Sequence, residues 1–296
     1  MKIMVFDVGG TAIKYGMVNE NFEFIFSDEM PTNAFYGGNG VMNSLEVKLD
    51  EFAGQFDAIG VSTAGQVTAE GVIIGGTGNI PNYRYSRVTE TFEKKYNVPV
   101  AVDNDVNCAG IGEAHFGAGV GYENFLCLTY GTGVGGCIYQ NGDAYRGSNS
   151  AAAEFGHMLI HAGGKECTCG KHGCYEAYAS CRALTTTVSE KFGRYMSGRE
   201  IFKPENLTNP IVVQALDEWE NEIAHGLVSL CSIFNPALIV LGGGIMSEDL
   251  LISHLQEKVI ERVEDSSKHV KIEKAKLGNK AGMLGAAYLV TQKINK

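Results

Sequence analysis

Basic residues are in the minority. Across 296 residues, 24 Lys and Arg stand against 34 Asp and Glu, a net charge of −10. This excludes the broad cationic surface on which non-specific binding to nucleic acid or anionic membranes draws. No run approaches the ~20 apolar residues of a membrane span, and Met1-Lys2 leads into a short apolar strand rather than a signal peptide. With no secretory signal, the eight cysteines are expected in a reduced, cytoplasmic protein. Cys108, Cys127, Cys137, Cys181 and Cys231 lie among apolar or small residues, as buried thiols do. The turn after the first apolar strand, residues 7–11, has neither the phosphate-binding Gly-x₄-Gly-Lys-Ser/Thr spacing with a following helix nor a dinucleotide fingerprint. No long linker or charge block interrupts the chain, whose length suits two lobes of roughly 100–200 residues.

What the chain does have is 38 glycines, clustered at the ends of apolar runs. Ile3–Phe6 reads as a buried strand that ends in Asp7, Gly9, Gly10 and Thr11, and apolar alternation resumes through Ile13, Tyr15, Met17 and Val18. That is a hairpin whose turn can offer N–H groups and a hydroxyl to a phosphate, with Asp7 placed for Mg²⁺. The unit recurs: Phe125–Tyr130, then Gly131-Thr132-Gly133-Val134-Gly135-Gly136, then Cys137–Tyr139. Two such units predict two related lobes facing each other across a cleft and clamping a nucleotide. A glycine-rich passage at Gly117–Gly121 suits a hinge between them.

Between Glu154 and Glu176 lie His157, Cys167, Cys169 and Cys174. Thiolate and imidazole ligands suit tetrahedral Zn²⁺, and three cysteines within eight residues favour a structural Cys₃His site over unrelated redox thiols. All four ligands close the shell, so the metal is read as a clamp that aims Glu154 and Glu176 at a polar ligand. After the strand Val98–Val102 come Asp103, Asn104, Asp105 and Asn107. One polar residue suffices to cap a helix; the surplus suggests a carboxylate kept ionised by the helix dipole, suited to a general base. The loop around Asn79 admits two readings, substrate ligand or turn cap.

Further on, a helix is expected from Tyr175 to about Tyr195, with Glu176 in its first turn. The spacing of Leu216, Trp219, Ile223, Leu227 and Leu230 predicts an amphipathic helix of about 24 residues, ended by Asn235-Pro236. His225 on that helix is assigned no role. Ala237–Leu241 reads as a buried parallel strand running into Gly242, Gly243 and Gly244, where the nucleoside end of ATP can rest on backbone. A last strand lies near Val270–Leu277, and a small-residue helix opens at Ala281.

Taken in order, Asp7–Thr11, Asn104–Asn107, Gly131–Gly136, Glu154–His157, Cys167–Glu176 and Gly242–Gly244 resemble the motifs of the ROK family of repressors, open reading frames and sugar kinases. The resemblance covers nearly the whole chain, and its cysteine box is the most specific element. It implies an α/β fold of two ribonuclease H-like lobes of the actin/hexokinase/Hsp70 type, with a zinc-binding loop in the second lobe. Residues 1–117 with the C-terminal helix at about 281–296 would form the small lobe, and 118–280 the large lobe with a dimerisation surface.

The activity implied is ATP-dependent phosphorylation of a hexose-type sugar, such as glucose, N-acetylmannosamine or a β-glucoside, at the 6-hydroxyl. By resemblance Asp105 is the base, and Gly65, Asn79, Asn104, Asp105, Glu154, His157 and Glu176 bind sugar. Asp7, Gly9, Gly10, Thr11, Lys14, Thr132, Gly133, Gly243 and Gly244 would face ATP and Mg²⁺. A homodimer without nucleic-acid or membrane partners is implied. Ala153, where relatives often carry Gly, and Thr63-Ala64-Gly65, where Pro is frequent, bear on pocket shape and hence on the choice of sugar. The family's repressors carry a DNA-binding segment ahead of the first hairpin, which this sequence enters at Ile3. The alternative is a sugar-sensing regulator without turnover, expected to lack the base that Asp105 supplies.

Overall fold

The computed structural model describes residues 1–75, 78 and 80–295. It divides into two compact units: Met1–Val120 with Asp143–Ala152 and Asn279–Lys296, and Gly121–Gly142 with Ala153–Gly278. In the first, β1 (Ile3–Val8) and β2 (Ala12–Val18) form the expected antiparallel hairpin. β3 (Phe24–Pro31) continues it antiparallel, while β4 (Ala58–Thr63) and β5 (Val100–Asn104) add in parallel, in the order β3-β2-β1-β4-β5. β1 and β4 are almost wholly buried, which is why both read as unbroken apolar runs rather than alternations.

The helix Gly37–Glu51 turns Val41, Leu45 and Leu49 onto the sheet core, and Val88–Tyr96 adds Phe92. The helices Asp105–Phe116 and Ala281–Ile294 lie unusually close to each other. A Cβ on Gly285 would fall 1.8 Å from the Cys108 carbonyl oxygen, and one on Gly112 would fall 2.4 Å from that of Ala281. The small residues that mark this last helix in the sequence are therefore the condition of its packing.

In the second unit β6 (Asn124–Tyr130) and β7 (Val134–Gln140) form an antiparallel hairpin, followed in parallel by β8 (Leu238–Gly242) and β9 (Lys271–Lys274). The order β7-β6-β8-β9 repeats β2-β1-β4-β5 in both connectivity and strand sense. The repeat of the glycine hairpins is thus a repeat of the sheet.

The amphipathic helix runs from Pro210 to Phe234, capped by the Asn209 side chain on the Ile211 N–H at 2.9 Å and ended by Asn235 at φ 43°. Trp219, Ile223, Leu227 and Leu230 enter the core as the spacing predicts. Trp219 Nε1 donates to the carbonyls of Ala179 and Ser180 at 2.9 and 3.1 Å. Where one helix is expected from Tyr175 to about Tyr195, there are two, Glu176–Ala179 and Cys181–Phe192. Ser180 is extended, and its hydroxyl accepts from the Ala183 N–H at 3.1 Å, so it caps the second helix instead of continuing the first. The last strand is also shorter than expected.

The stretch Asp143–Ala152, counted with the second lobe on sequence grounds, groups with the first unit, where Arg146 pairs with Asp103. Among the described residues, no helix is long and apolar enough to cross a membrane.

Candidate active site

The first hairpin places its side chains by register. Asp7 faces Lys14 across β1–β2 and Ser62 across β1–β4. The Ser62 hydroxyl accordingly donates to Asp7 Oδ1 at 2.7 Å, and Lys14 Nζ lies 3.5 Å from Asp7 Oδ2 and donates to Asn279 Oδ1 at 3.3 Å. The turn itself is held from within: the Gly9 N–H donates to the Ala12 carbonyl at 3.1 Å, and the Thr32 hydroxyl donates to the Gly9 carbonyl at 2.7 Å. Gly10 stays half-buried and Thr11 exposed beside this pinned backbone.

Asp103, Asn104, Asp105 and Asn107 do different jobs. Asn104 is the cap: its Oδ1 accepts from the N–H groups of Val106 and Asn107 at 2.9 and 3.2 Å. Its amide nitrogen donates to the Gly65 carbonyl at 3.0 Å and to Asp105 Oδ1 at 2.9 Å, so Asn104 bridges two other predicted sugar-site residues. Asp103 is 3 % exposed. It accepts from the Asn104 N–H and the Asn107 side chain, and at its other oxygen from Arg146 Nε at 2.9 Å and Nη2 at 2.7 Å.

Asp105 opens the helix. Burial, and next the negative charge of Asp7, push its carboxyl up from 3.8 to about 7, against the lowering pull of the Val106 N–H and the Asn104 amide. Dipole and hydrogen bonds alone would keep a helix N-terminal carboxylate ionised at any ordinary pH; desolvation overrides them here. A carboxyl that titrates near neutrality is matched to general base work.

In the second unit Thr132 and Gly133 lie at the tip of the β6–β7 hairpin, where the Gly131 N–H donates to the Gly133 carbonyl at 2.9 Å. Gly243 follows β8 at φ 100°, and a Cβ there would meet the Tyr130 carbonyl oxygen at 2.2 Å, so only glycine fits. Around Gly244 a Cβ would meet open space. A cleft of about 510 Å³ runs from Gly131 and Thr132 past Arg182 and Thr186 to Tyr195 and Gly198.

His157, Cys167, Cys169 and Cys174 each present a ligand atom within 4.8 Å of the others. The Cys169 and Cys174 sulfurs are 3.7 Å apart, as are Cys167 Sγ and His157 Nδ1. Tetrahedral Zn²⁺ with Zn–S arms of about 2.3 Å sets sulfurs about 3.8 Å apart, so the donor set and its spacing fit that ion.

Glu176 is buried directly behind this set, its carboxylate accepting from the Thr168 hydroxyl at 2.7 Å and the Val134 N–H at 3.4 Å. Burial raises its pKa, but the Thr168 hydroxyl, the Cys167 thiol at 3.1 Å, the His157 charge and the Val134 N–H together outweigh burial, and the net shift is downward. Glu154 is exposed and precedes the short turn Phe155–His157. The set therefore links the first carboxylate, the ligands and the second carboxylate within one folded loop. Asn79 lies outside the described residues.

Two contributors had no sequence signal. Ser62 sits in a plain apolar strand, and only the parallel register brings it to Asp7. Arg146 lies in an unpatterned polar stretch, and its partner Asp103 is 43 residues away.

Comparison with known proteins places the whole chain among relatives of one family. The ROK family model matches residues 3–293. The chain is 33 % identical to a β-glucoside kinase of Listeria innocua, over 100 % of this chain and 99 % of that one. It is 31 % identical to a glucokinase of Halalkalibacterium halodurans, over 98 % and 94 %. Among solved structures, a ROK hexokinase from Thermus thermophilus superposes with a TM-score of 0.83 at 31 % identity, over 100 % and 99 % of the two chains. A ROK family glucokinase from Streptomyces griseus, in complex with glucose and AMPPNP, gives 0.86 at 29 %, over 99 % and 100 %.

Proposed function

The chain belongs to the ROK family, and from that membership and the site's geometry we propose that it is an ATP-dependent kinase of a hexose-type sugar, acting at the 6-hydroxyl with Asp105 as general base. The observation that carries this reading is the carboxyl of Asp105, oriented by Asn104 and raised to about 7 by burial and by Asp7. A sugar hydroxyl attacks phosphorus poorly until a base accepts its proton, a gain of roughly 10²–10⁴ in rate. In phosphoryl transfer the protein's remaining work is alignment and charge neutralisation.

Asp7 is the residue that would hold Mg²⁺, which when bound neutralises charge on the phosphates. Gly9, Gly10, Thr11 and Lys14, and in the second unit Thr132 and Gly133, would approach the phosphates through N–H groups, a hydroxyl and one cation. Gly243 and Gly244 would lie against the nucleoside. We assign Gly65, Asn104, Glu154, His157 and Glu176 to the sugar, since carboxylates and amides bind hydroxyls with a directionality that apolar side chains lack. His157, Cys167, Cys169 and Cys174 would hold a structural Zn²⁺ that fixes the loop carrying both glutamates. The protein would work as a cytoplasmic homodimer.

The relatives named as a glucokinase and a β-glucoside kinase bound the sugar to test first. A coupled ADP-release assay should show ATP-dependent turnover with glucose, a β-glucoside, N-acetylmannosamine or N-acetylglucosamine. Zinc and nucleotide binding without turnover on any of them would replace this reading with that of a sugar-sensing regulator.

A further inference from the structure

The second unit carries another group of metal-ligating side chains outside the residues assigned above: His161, Glu222 and His225, with one ligand atom from each within 4.8 Å of the others. Glu222 and His225 lie three apart on the Pro210–Phe234 helix, so they project from one face. That helix is anchored by buried Trp219, Ile223 and Leu227, so the pair stands on a rigid support.

His161 comes from the loop between the Phe155–His157 turn and Cys167, and its position is equally constrained. Its N–H donates to the Gly173 carbonyl at 3.3 Å, its carbonyl accepts from the Gly164 N–H at 3.0 Å, and its ring packs on Tyr178 at 4.4 Å between centroids. The ligand atoms are therefore brought together by the fold.

Their spacing suits an ion. His161 Nε2 lies 2.8 Å from Glu222 Oε2, and His225 Nδ1 lies 3.6 Å from the same oxygen. Tetrahedral Zn²⁺ with arms of about 2.0–2.1 Å places neighbouring ligand atoms about 3.3 Å apart. The two observed separations bracket that value and the imidazole–imidazole pair lies within 4.8 Å, so side-chain rotations moving a ligand atom by up to about 1.5 Å would complete the set. The side chains are 39 %, 25 % and 51 % exposed for His161, Glu222 and His225, which leaves a path for a hydrated ion and a fourth position for water.

We propose that His161, Glu222 and His225 form a second divalent transition-metal site of the Zn²⁺ class, with two imidazoles, one carboxylate and an open coordination position. The site would tie the loop that leads into the cysteine set to the long helix. Gly173, whose carbonyl takes the His161 N–H, directly precedes the ligand Cys174, so an ion on the triad would brace the cysteine loop from outside.

The test is metal content after equilibrium dialysis of the intact protein against low-micromolar free Zn²⁺, for the wild type, His225→Ala and Glu222→Gln. The wild type should hold one equivalent more than either variant. Equal content in all three overturns the site. Zinc in the cysteine set changes all three counts equally, so the difference isolates the triad whatever that set holds. Should a variant fold poorly, the wild type suffices: Zn²⁺ should slow diethyl pyrocarbonate labelling of both His161 and His225, read by mass spectrometry, by at least tenfold. Labelling rates unchanged by Zn²⁺ overturn the proposal.

Discussion

Replacing Asp105 with asparagine should slow turnover and, above neutral pH, stabilise the fold. The folded protein holds the Asp105 carboxyl at about 7 against an ordinary 3.8, because burial and the neighbouring Asp7 charge disfavour ionisation. Below pH ~4 the carboxyl is neutral in both folded and unfolded chains, and it contributes nothing to a pH dependence. Between ~4 and ~7 the unfolded chain releases the proton while the folded chain retains it, so stability falls by up to about 1.4 kcal/mol per pH unit. Above ~7 both are ionised and the loss is complete, about 4 kcal/mol before allowance for the side chain's partial exposure and about 2–4 kcal/mol after it. The sign is the reverse of the usual carboxylate, whose depressed pKa stabilises the fold as pH rises.

Asparagine removes that cost and keeps the shape. Its amide oxygen can accept from the Val106 N–H and the Asn104 amide, which now reach Asp105 Oδ1 at 3.0 and 2.9 Å. Its amide nitrogen adds a donor where the carboxylate met the field of Asp7. Thermal melts without nucleotide or divalent metal should coincide at pH 4 and separate at pH 8, with the variant higher by several degrees, given roughly 2–4 °C per kcal/mol for domains of this size. In the same protein kcat should drop by ~10² or more while sugar affinity stays within a few-fold. The wild-type kcat/KM should climb about tenfold per pH unit up to ~7 and then level. Coincident melts at pH 8 would refute the argument about burial; an unchanged kcat would remove Asp105 as the base.

Chelation of the metal expected on His157, Cys167, Cys169 and Cys174 should weaken sugar binding by tenfold or more, measured by calorimetry, and change nucleotide affinity far less. Gly243→Ala forces a Cβ onto the Tyr130 carbonyl at a positive φ. It should cost about 1–3 kcal/mol in urea unfolding and raise the KM for ATP more than that for sugar. Arg146→Met leaves Asp103 buried without its cation; the expected loss is about 3–5 kcal/mol in urea unfolding. Adding Asp103→Asn should restore part of it, and a double mutant no more stable than the single would show that the pair is not the source.

Which features were legible in the sequence follows from how far apart their parts lie. The hairpins, the buried strands and the long helix are periodic over a handful of residues, and they stand where the pattern puts them. The cysteine set is legible for the same reason, since its ligands and both flanking glutamates fall in one loop between residues 154 and 176. The break at Ser180 is not, because apolar spacing continues across a one-residue cap and only the hydroxyl's bond to the Ala183 N–H interrupts the helix. The Asp103–Arg146 pair and the Ser62–Asp7 bond join residues 43 and 55 apart, and no local pattern marks Arg146 or Ser62 as the partner of either aspartate.

Asp105 combines the two cases. Its place at a strand end before a helix singles it out locally, and that local reading predicts a low pKa held by the helix dipole. The raised value comes from burial and from Asp7, which arrives from another strand of the sheet. A sequence can therefore nominate a base while misjudging its protonation, because type and position are local and desolvation is not. His225 shows the limit from the other side. On the helix alone it is an ordinary surface imidazole, and it gains a chemical reading only when His161, on a separate loop, is folded onto its neighbour Glu222 from 61 residues away.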